Sequence, residues 1–73
     1  MERIKKIIAN VFEIQINKIS DDFSKDDCDN WDSITHLELI QQLETEFNID
    51  LELMETLDMI SLRNIETIIK SKL

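Results

Sequence analysis

The chain contains no glycine and no proline in its 73 residues. Tight β-hairpin turns usually need glycine, because their central residues adopt positive φ angles. A sheet of short strands joined by tight turns is therefore disfavoured. Helix interiors need neither residue, and either one would weaken them. The composition thus predicts an all-α protein whose helices are joined by polar connections.

Three segments show the apolar spacing of amphipathic helices. The first helix is predicted over Glu2–Phe12. The second is predicted over Ser33–Phe47, with Asp32 as its N-cap. The third is predicted over Leu62–Lys70, with Ser61 as its N-cap.

The segments between these helices are less regular. Residues 13–32 lose the helical period and are predicted to form a long loop pinned by its apolar side chains. Residues 49–53 alternate like a short strand but have no evident partner, so an extended connection and a short helical turn near Glu55–Leu57 are predicted. The result is a small four-helix bundle, with three main helices, one short helix and a long first loop. A chain of this length is expected to form a single domain over residues 1–73.

The predicted second helix has one clear core stripe. At about 100° per residue, this stripe consists of Leu39, Ile40, Leu43 and Phe47. The opposite wall of the core is predicted to come from the Ile49–Leu53 connection and from Leu57, Met59, Ile60, Leu62 and Ile65. Met54 is also expected to fill the core.

The charge is strongly negative and unevenly distributed. The net charge is −8, with 16 acidic residues against 8 lysines and arginines. Residues 19–62 hold thirteen of the acids and a single base, Lys25. Nucleic-acid binding needs a cationic surface, so no nucleic-acid partner is expected. Membrane insertion is not expected either, because no apolar run approaches the ~20 residues of a membrane-spanning helix. Basic protein partners are favoured instead.

The pair Asp32-Ser33 is the most informative candidate for chemistry. A serine at the first helical position points its hydroxyl outward, beside unpaired backbone N–H groups and the positive end of the helix dipole. A phosphate ester on that oxygen would be stabilised there. From these residue types alone, ordinary helix capping is the favoured interpretation, and a modification site is the alternative.

The sequence offers little support for an enzyme or a metal site. His36 has no neighbouring acid to orient it, so a packing or phosphate-neighbouring role is predicted. The acidic loop from Asp22 lacks the glycine and the bidentate glutamate of an EF-hand calcium site, so no metal site is predicted. Cys28 is the only cysteine, which excludes an internal disulfide. No Ser-His-acid set or phosphate-cradling glycine loop is present, and catalytic activity is not expected.

Residues 30–49 resemble the phosphopantetheine attachment region of acyl carrier proteins. The family pattern is Asp-Ser-Leu/Ile, then Glu-Leu, then Leu-Glu, an acid and Phe at matching intervals. This sequence matches it with Asp32, Ser33, Ile34, Glu38, Leu39, Leu43, Glu44, Glu46 and Phe47. The similarity extends over essentially the whole chain. The Trp31-Asp32-Ser33 sequence resembles that of carriers outside bulk fatty-acid synthesis.

The resemblance implies a stand-alone carrier without catalytic activity. A phosphopantetheinyl transferase would attach 4′-phosphopantetheine from coenzyme A to Ser33, with Asp32 as the helix cap beside the site. The arm would hold an acyl or aminoacyl group as a thioester. Fatty acyl, polyketide, aminoacyl and D-alanyl cargoes all remain open. Partners would be a loading ligase and a downstream synthase or transferase, and a cytoplasmic monomer is expected. The alternative is an acidic helical interaction module without a prosthetic group.

One face of the second helix is predicted to bind these partners. Two apolar side chains, Ile34 and Leu37, lie off the core stripe. Glu38, Gln41 and Glu44 share that side of the helix. A small apolar centre with an acidic rim would suit a basic docking patch on each partner enzyme.

Overall fold

A computed structural model describes residues 2–73 and contains four α-helices. They are α1 (Glu2–Phe12), α2 (Ser33–Phe47), α3 (Leu53–Asp58) and α4 (Leu62–Lys72). Two short 3-10 turns, Ile16–Lys18 and Lys25–Asp27, lie in the long connection between α1 and α2. Residues 2–73 include no β-strand, and the prediction of an all-α bundle with one short helix is confirmed.

The predicted boundaries hold for the first two helices and shift for the last two. α4 ends at Lys72 rather than Lys70. α3 begins at Leu53, so the strand-like stretch already turns helical at its last residue. The physical reason is a cap: the backbone N–H of Glu52 donates to the Glu55 carboxylate at 2.9 Å, which starts a helix before the predicted turn.

The core is built from α1, α2, α4 and the long first connection. Its buried members are mostly isoleucine, leucine and aromatic residues: Ile4, Ile7, Ile8, Val11, Phe12, Ile19, Phe23, Trp31, Leu39, Ile40, Leu43, Met59, Leu62, Ile65 and Ile69. α3 contributes no buried residue. The interior therefore depends on the other three helices, and α3 lies on its surface.

The predicted opposite wall of the core is only partly correct. Met59, Leu62 and Ile65 are fully buried, and Ile49 and Leu51 are half-buried. Leu53, Leu57 and Ile60 are exposed. Met54 is also wrong as a core residue, since 73% of it is accessible to solvent. Met59 follows α3 directly and fills the interior from there. The apolar side chains of the short helix itself are thereby left at the surface.

A backbone bridge ties the first connection to the segment between α3 and α4. Ser24 and Ser61 form an isolated antiparallel pair. The Lys25 N–H donates to the Ile60 carbonyl at 2.9 Å, and the Leu62 N–H donates to the Phe23 carbonyl at 2.8 Å. The second 3-10 turn is therefore held against Ile60, at the side of the molecule where α2 begins.

Two helices end in left-handed backbone without glycine. Glu13, after α1, has φ 56°, and Asn48, after α2, has φ 54°. Asparagine tolerates this conformation because its side chain is short and polar, whereas a glutamate there costs about 1–2 kcal/mol. The chain thus ends α1 at some cost in stability.

Candidate functional site

The N-terminus of α2 is fixed by Asp32. One carboxylate oxygen accepts hydrogen bonds from the N–H groups of Ile34 and Thr35, both at 3.0 Å. The Asp32 N–H in turn donates to the Thr35 hydroxyl at 2.9 Å. These bonds lower the pKa of Asp32, with the backbone hydrogen bond from Thr35 as the largest cause. The Asp32 carboxylate therefore caps the first turn of α2 in its ionised form.

Ser33 is the first residue of α2 and is exposed. It follows the cap directly, so its position is set by the same hydrogen bonds that start the helix. A hydroxyl in this place is accessible to solvent. The adjacent helix end favours an anion.

A groove of about 220 Å³ opens beside Ser33. Its lining combines polar groups from the start of α2 with apolar side chains from the α3 end of the molecule: Lys25, Trp31, Asp32, Ser33, His36, Leu57 and Ile60. The exposure of Leu57 and Ile60, which the sequence did not predict, is what forms the apolar wall of this groove.

His36 joins three parts of the structure through two hydrogen bonds. The indole N–H of Trp31 donates to its Nδ1 at 2.9 Å, and its Nε2 lies 2.7 Å from the Thr56 carbonyl oxygen. Indole is only a donor and a carbonyl is only an acceptor, so the ring that satisfies both is the neutral one with its proton on Nε2. His36 thus has the packing role predicted from the sequence, although neither partner was foreseen.

Trp31 lies at the centre of an aromatic group under the groove. It is 4% exposed and stacks near Phe12, Phe23 and His36 at centroid distances of 4.8, 6.3 and 6.2 Å. The start of α2 is therefore anchored to α1 and to the first connection by aromatic contacts.

The predicted partner-binding residues differ in their exposure to solvent. Ile34 and Leu37 are 71% and 58% exposed, and Glu38 and Gln41 are exposed beside them. Glu44 differs, because it is half-buried and its carboxylate accepts the Leu51 N–H at 2.9 Å. This glutamate holds the connection after α2 and is not a free member of the acidic rim.

The sequence interpretation missed the exposed apolar side chains of α3. Leu53, Met54 and Leu57 are 74%, 73% and 61% exposed. Residues 49–53 alternate like a strand, and the sequence predicts Met54 in the core. A signal was available in Glu52 and Glu55, whose spacing matches the reciprocal cap that starts α3.

Neither a metal cluster nor a membrane span is evident in the described part of the chain. Over residues 2–73, no group of three His, Cys, Asp or Glu side chains is placed to hold a metal ion. Within the same residues, no helix is long and apolar enough to cross a membrane.

Comparison with known proteins gives a structural match. No protein-family model matches the chain, and no curated protein matches it. Among solved structures, it is similar to a holo acyl carrier protein from Geobacter metallireducens, determined by solution NMR. The two sequences are 25% identical, the match covers 97% of this chain and 82% of the other, and the TM-score is 0.84.

The protein therefore has the fold of the acyl carrier proteins. The resemblance predicted from the residues around Ser33 is confirmed by this match over nearly the whole chain. A fold of this class supports a carrier role in general rather than an enzymatic one.

Proposed function

We propose that this protein carries acyl or aminoacyl groups as thioesters on a 4′-phosphopantetheine arm attached to Ser33. The observation that carries the proposal is the position of Ser33, exposed at the first residue of α2 in a chain that matches a holo acyl carrier protein. The thiol of the arm would form the thioester with the cargo. The proposal includes both acyl and aminoacyl cargoes.

The residues around Ser33 fit such a group. The Ser33 oxygen would attack the phosphorus on the pantetheine side of coenzyme A, and the pyrophosphate bond would break so that adenosine 3′,5′-bisphosphate leaves. The serine proton would pass to a base on the transferase. Asp32 would keep the helix start in place during this reaction, because its carboxylate is already bound to two backbone N–H groups. Trp31, Leu57 and Ile60 would offer an apolar wall beside the attachment point.

The exposed apolar side chains of α2 and α3 would meet the partner enzymes. They are Ile34, Leu37, Leu53, Met54 and Leu57, and Glu38 and Gln41 are also exposed on α2. The expected partners are a phosphopantetheinyl transferase, a loading ligase and a downstream synthase or transferase, each with a basic docking patch. An apolar centre with charged groups at its rim supports transient, salt-sensitive binding of this kind.

The test is the intact mass of the protein after co-expression with a phosphopantetheinyl transferase. The wild type should gain one phosphopantetheine, and peptide mapping should locate it on Ser33. The Ser33→Ala variant should stay unmodified and fold normally, because the Asp32 cap remains. Ser20→Ala, which removes an exposed serine from the first connection, should be modified like the wild type.

The same experiment addresses the alternative function. A chain that stays unmodified with several transferases would favour an acidic interaction module without a prosthetic group. Attachment to the Ser33→Ala variant would show that the assigned residue is wrong.

A further inference from the structure

Two side chains able to carry a positive charge line the groove beside Ser33, and only one of them is available to an anion. These are Lys25 and His36. His36 uses both ring nitrogens, accepting from Trp31 and donating to Thr56, and this pairing requires the neutral ring. It can offer neither a charge nor a spare N–H to a group on Ser33.

Lys25 is held at the groove by its backbone. Its N–H donates to the Ile60 carbonyl at 2.9 Å, within the bridge between the first connection and the segment before α4. The 3-10 turn that carries it is closed by Asp27, whose carboxylate accepts the Ser24 N–H at 3.0 Å. The base of the Lys25 side chain is therefore well placed, while the side chain itself is exposed.

The Lys25 ammonium group forms no ion pair within residues 2–73. Over residues 2–73, the salt bridges join Arg3, Lys5, Arg63, Lys70 and Lys72 to acids, and none involves Lys25. It is also the single base among residues 19–62, which hold thirteen acids. A lone unpaired lysine in the most acidic part of the chain lines the groove at the one serine proposed for modification.

Attachment of the arm would create an electrostatic conflict that Lys25 can relieve. A phosphodiester on Ser33 adds a negative charge one residue after Asp32, whose carboxylate is ionised and already bound to the helix end. Like charges at this spacing repel each other, and the acidic surroundings add to the repulsion. Lys and Arg side chains are the usual partners of phosphate oxygens.

We propose that Lys25 is the counter-ion of the phosphodiester on Ser33, and that it positions the attached arm along the groove. The proposal rests on the proposed attachment at Ser33 and adds a residue that the sequence pattern of α2 does not contain. Lys25 acts here as a positioning residue, since the carrier itself performs no catalysis.

The test compares the apo and holo forms of four proteins: wild type, Lys25→Gln, Lys25→Arg and Lys18→Gln. Lys18 is a matched control, because it is an exposed lysine of the same connection that lines a different groove. For each protein we measure the difference in Tm between the holo and apo forms and the ³¹P chemical shift of the phosphodiester.

The holo-minus-apo difference in Tm should fall by about 1–5 °C in Lys25→Gln, a size typical of one exposed ion pair in a small domain. Lys25→Arg and Lys18→Gln should behave like the wild type. A high salt concentration, about 0.5 M NaCl, should remove the difference between Lys25→Gln and the wild type. The ³¹P shift should change only in Lys25→Gln. The ³¹P readout reports the surroundings of the phosphate, so a general loss of stability would leave it unmoved.

The possible failures are distinct. If wild-type Ser33 takes no arm, the proposed function fails. If the arm attaches and Lys25→Gln matches Lys18→Gln in both measurements, the role of Lys25 is overturned while the carrier function stands.

Discussion

At the scale of single residues, His36 has consequences beyond its own position. Its two hydrogen bonds link the buried Trp31 of the first connection to the backbone of α3. α3 has no buried residue of its own, so this link is one of the few that hold it to the rest of the molecule. A second is the ion pair between Lys72 and Glu55 at 2.8 Å, which lowers the pKa of Glu55 mainly through the hydrogen bond.

Replacing His36 with phenylalanine should therefore destabilise the protein. The ring volume is kept, but the indole N–H of Trp31 loses its acceptor in a buried place, which costs about 1–3 kcal/mol. Thermal unfolding should show a lower Tm, and the indole proton should exchange faster with solvent. His36→Gln, which can both accept and donate, serves as the control. An unchanged Tm for His36→Phe would mean that the two bonds contribute nothing net.

Asp32 gives a prediction about pH. Its pKa is lowered in the folded state, so its stabilising effect is complete above the unfolded value of about 3.9 and is lost as the pH falls through the folded value. Asp32→Asn keeps a capping side chain but removes the charge. The variant should be less stable than the wild type at pH 7, and the gap should close below about pH 4. A gap that persists at low pH would assign the effect to geometry rather than charge.

At the scale of elements, α2 and α3 each expose apolar side chains, Ile34 and Leu37 on α2 and Leu53, Met54 and Leu57 on α3. The acids of α2 are not equivalent: Glu38 is exposed, whereas Glu44 is occupied by the Leu51 N–H. A charge reversal at Glu44 would disturb the connection after α2, and its effect on binding could not be separated from that disturbance. Glu38 is the position at which electrostatic docking can be tested cleanly.

Glu38→Lys should slow the attachment of phosphopantetheine several-fold at low ionic strength, because rim charges act mainly on the association rate. Its Tm should match that of the wild type. Glu2→Lys, a reversal of an exposed acid on α1, should modify at the normal rate. The difference should shrink as salt is added. Equal rates for the two variants at low salt would remove Glu38 from the docking surface.

The sequence predicts the elements that depend on periodicity and misses those that depend on long-range contacts. The α1 and α2 boundaries follow from apolar spacing and from the Asp32 cap. For α3 the sequence predicts the short helix but only over Glu55–Leu57, because six residues are too few to establish a period and residues 49–53 alternate like a strand. The groove at Ser33 is not predicted from the sequence, because it depends on a backbone bridge between residues that are far apart in the chain.

At the scale of the whole molecule, ion pairs between the ends and the centre of the chain partly compensate its uneven charge. Bases from the two ends of the chain pair with acids of the central part: Arg3 with Glu46, Lys5 with Asp21, Arg63 with Asp22 and Lys72 with Glu55. The loop acids Asp21 and Asp22 are thus used in ion pairs. The two pairs whose partners are both exposed, Arg3–Glu46 and Arg63–Asp22, contribute about 0–1 kcal/mol each. The ion pairs therefore offset the repulsion within a chain of net charge −8 only in part.

Salt should therefore raise the Tm of the apo protein. Screening at 0.15 M, where the Debye length is about 8 Å, weakens the long-range repulsion more than the short ion pairs. Because 1 kcal/mol shifts the Tm of a domain of this size by about 4–8 °C, a rise of a few degrees is expected. Glu38→Gln, with one acid fewer, should show a smaller rise. A fall in Tm with added salt would indicate that the ion pairs between chain ends and centre outweigh the repulsion.

Trp31 gives this protein a further experimental property. The chain has one tryptophan and no tyrosine, so its intrinsic fluorescence comes almost entirely from a single ring. Trp31 precedes Ser33 by two residues in the sequence. Its ring lines the groove and donates a hydrogen bond to His36. Any event that fills the groove or shifts α3 changes the surroundings of the fluorophore. The emission spectrum can therefore follow the occupancy of this one place in real time, without an attached dye.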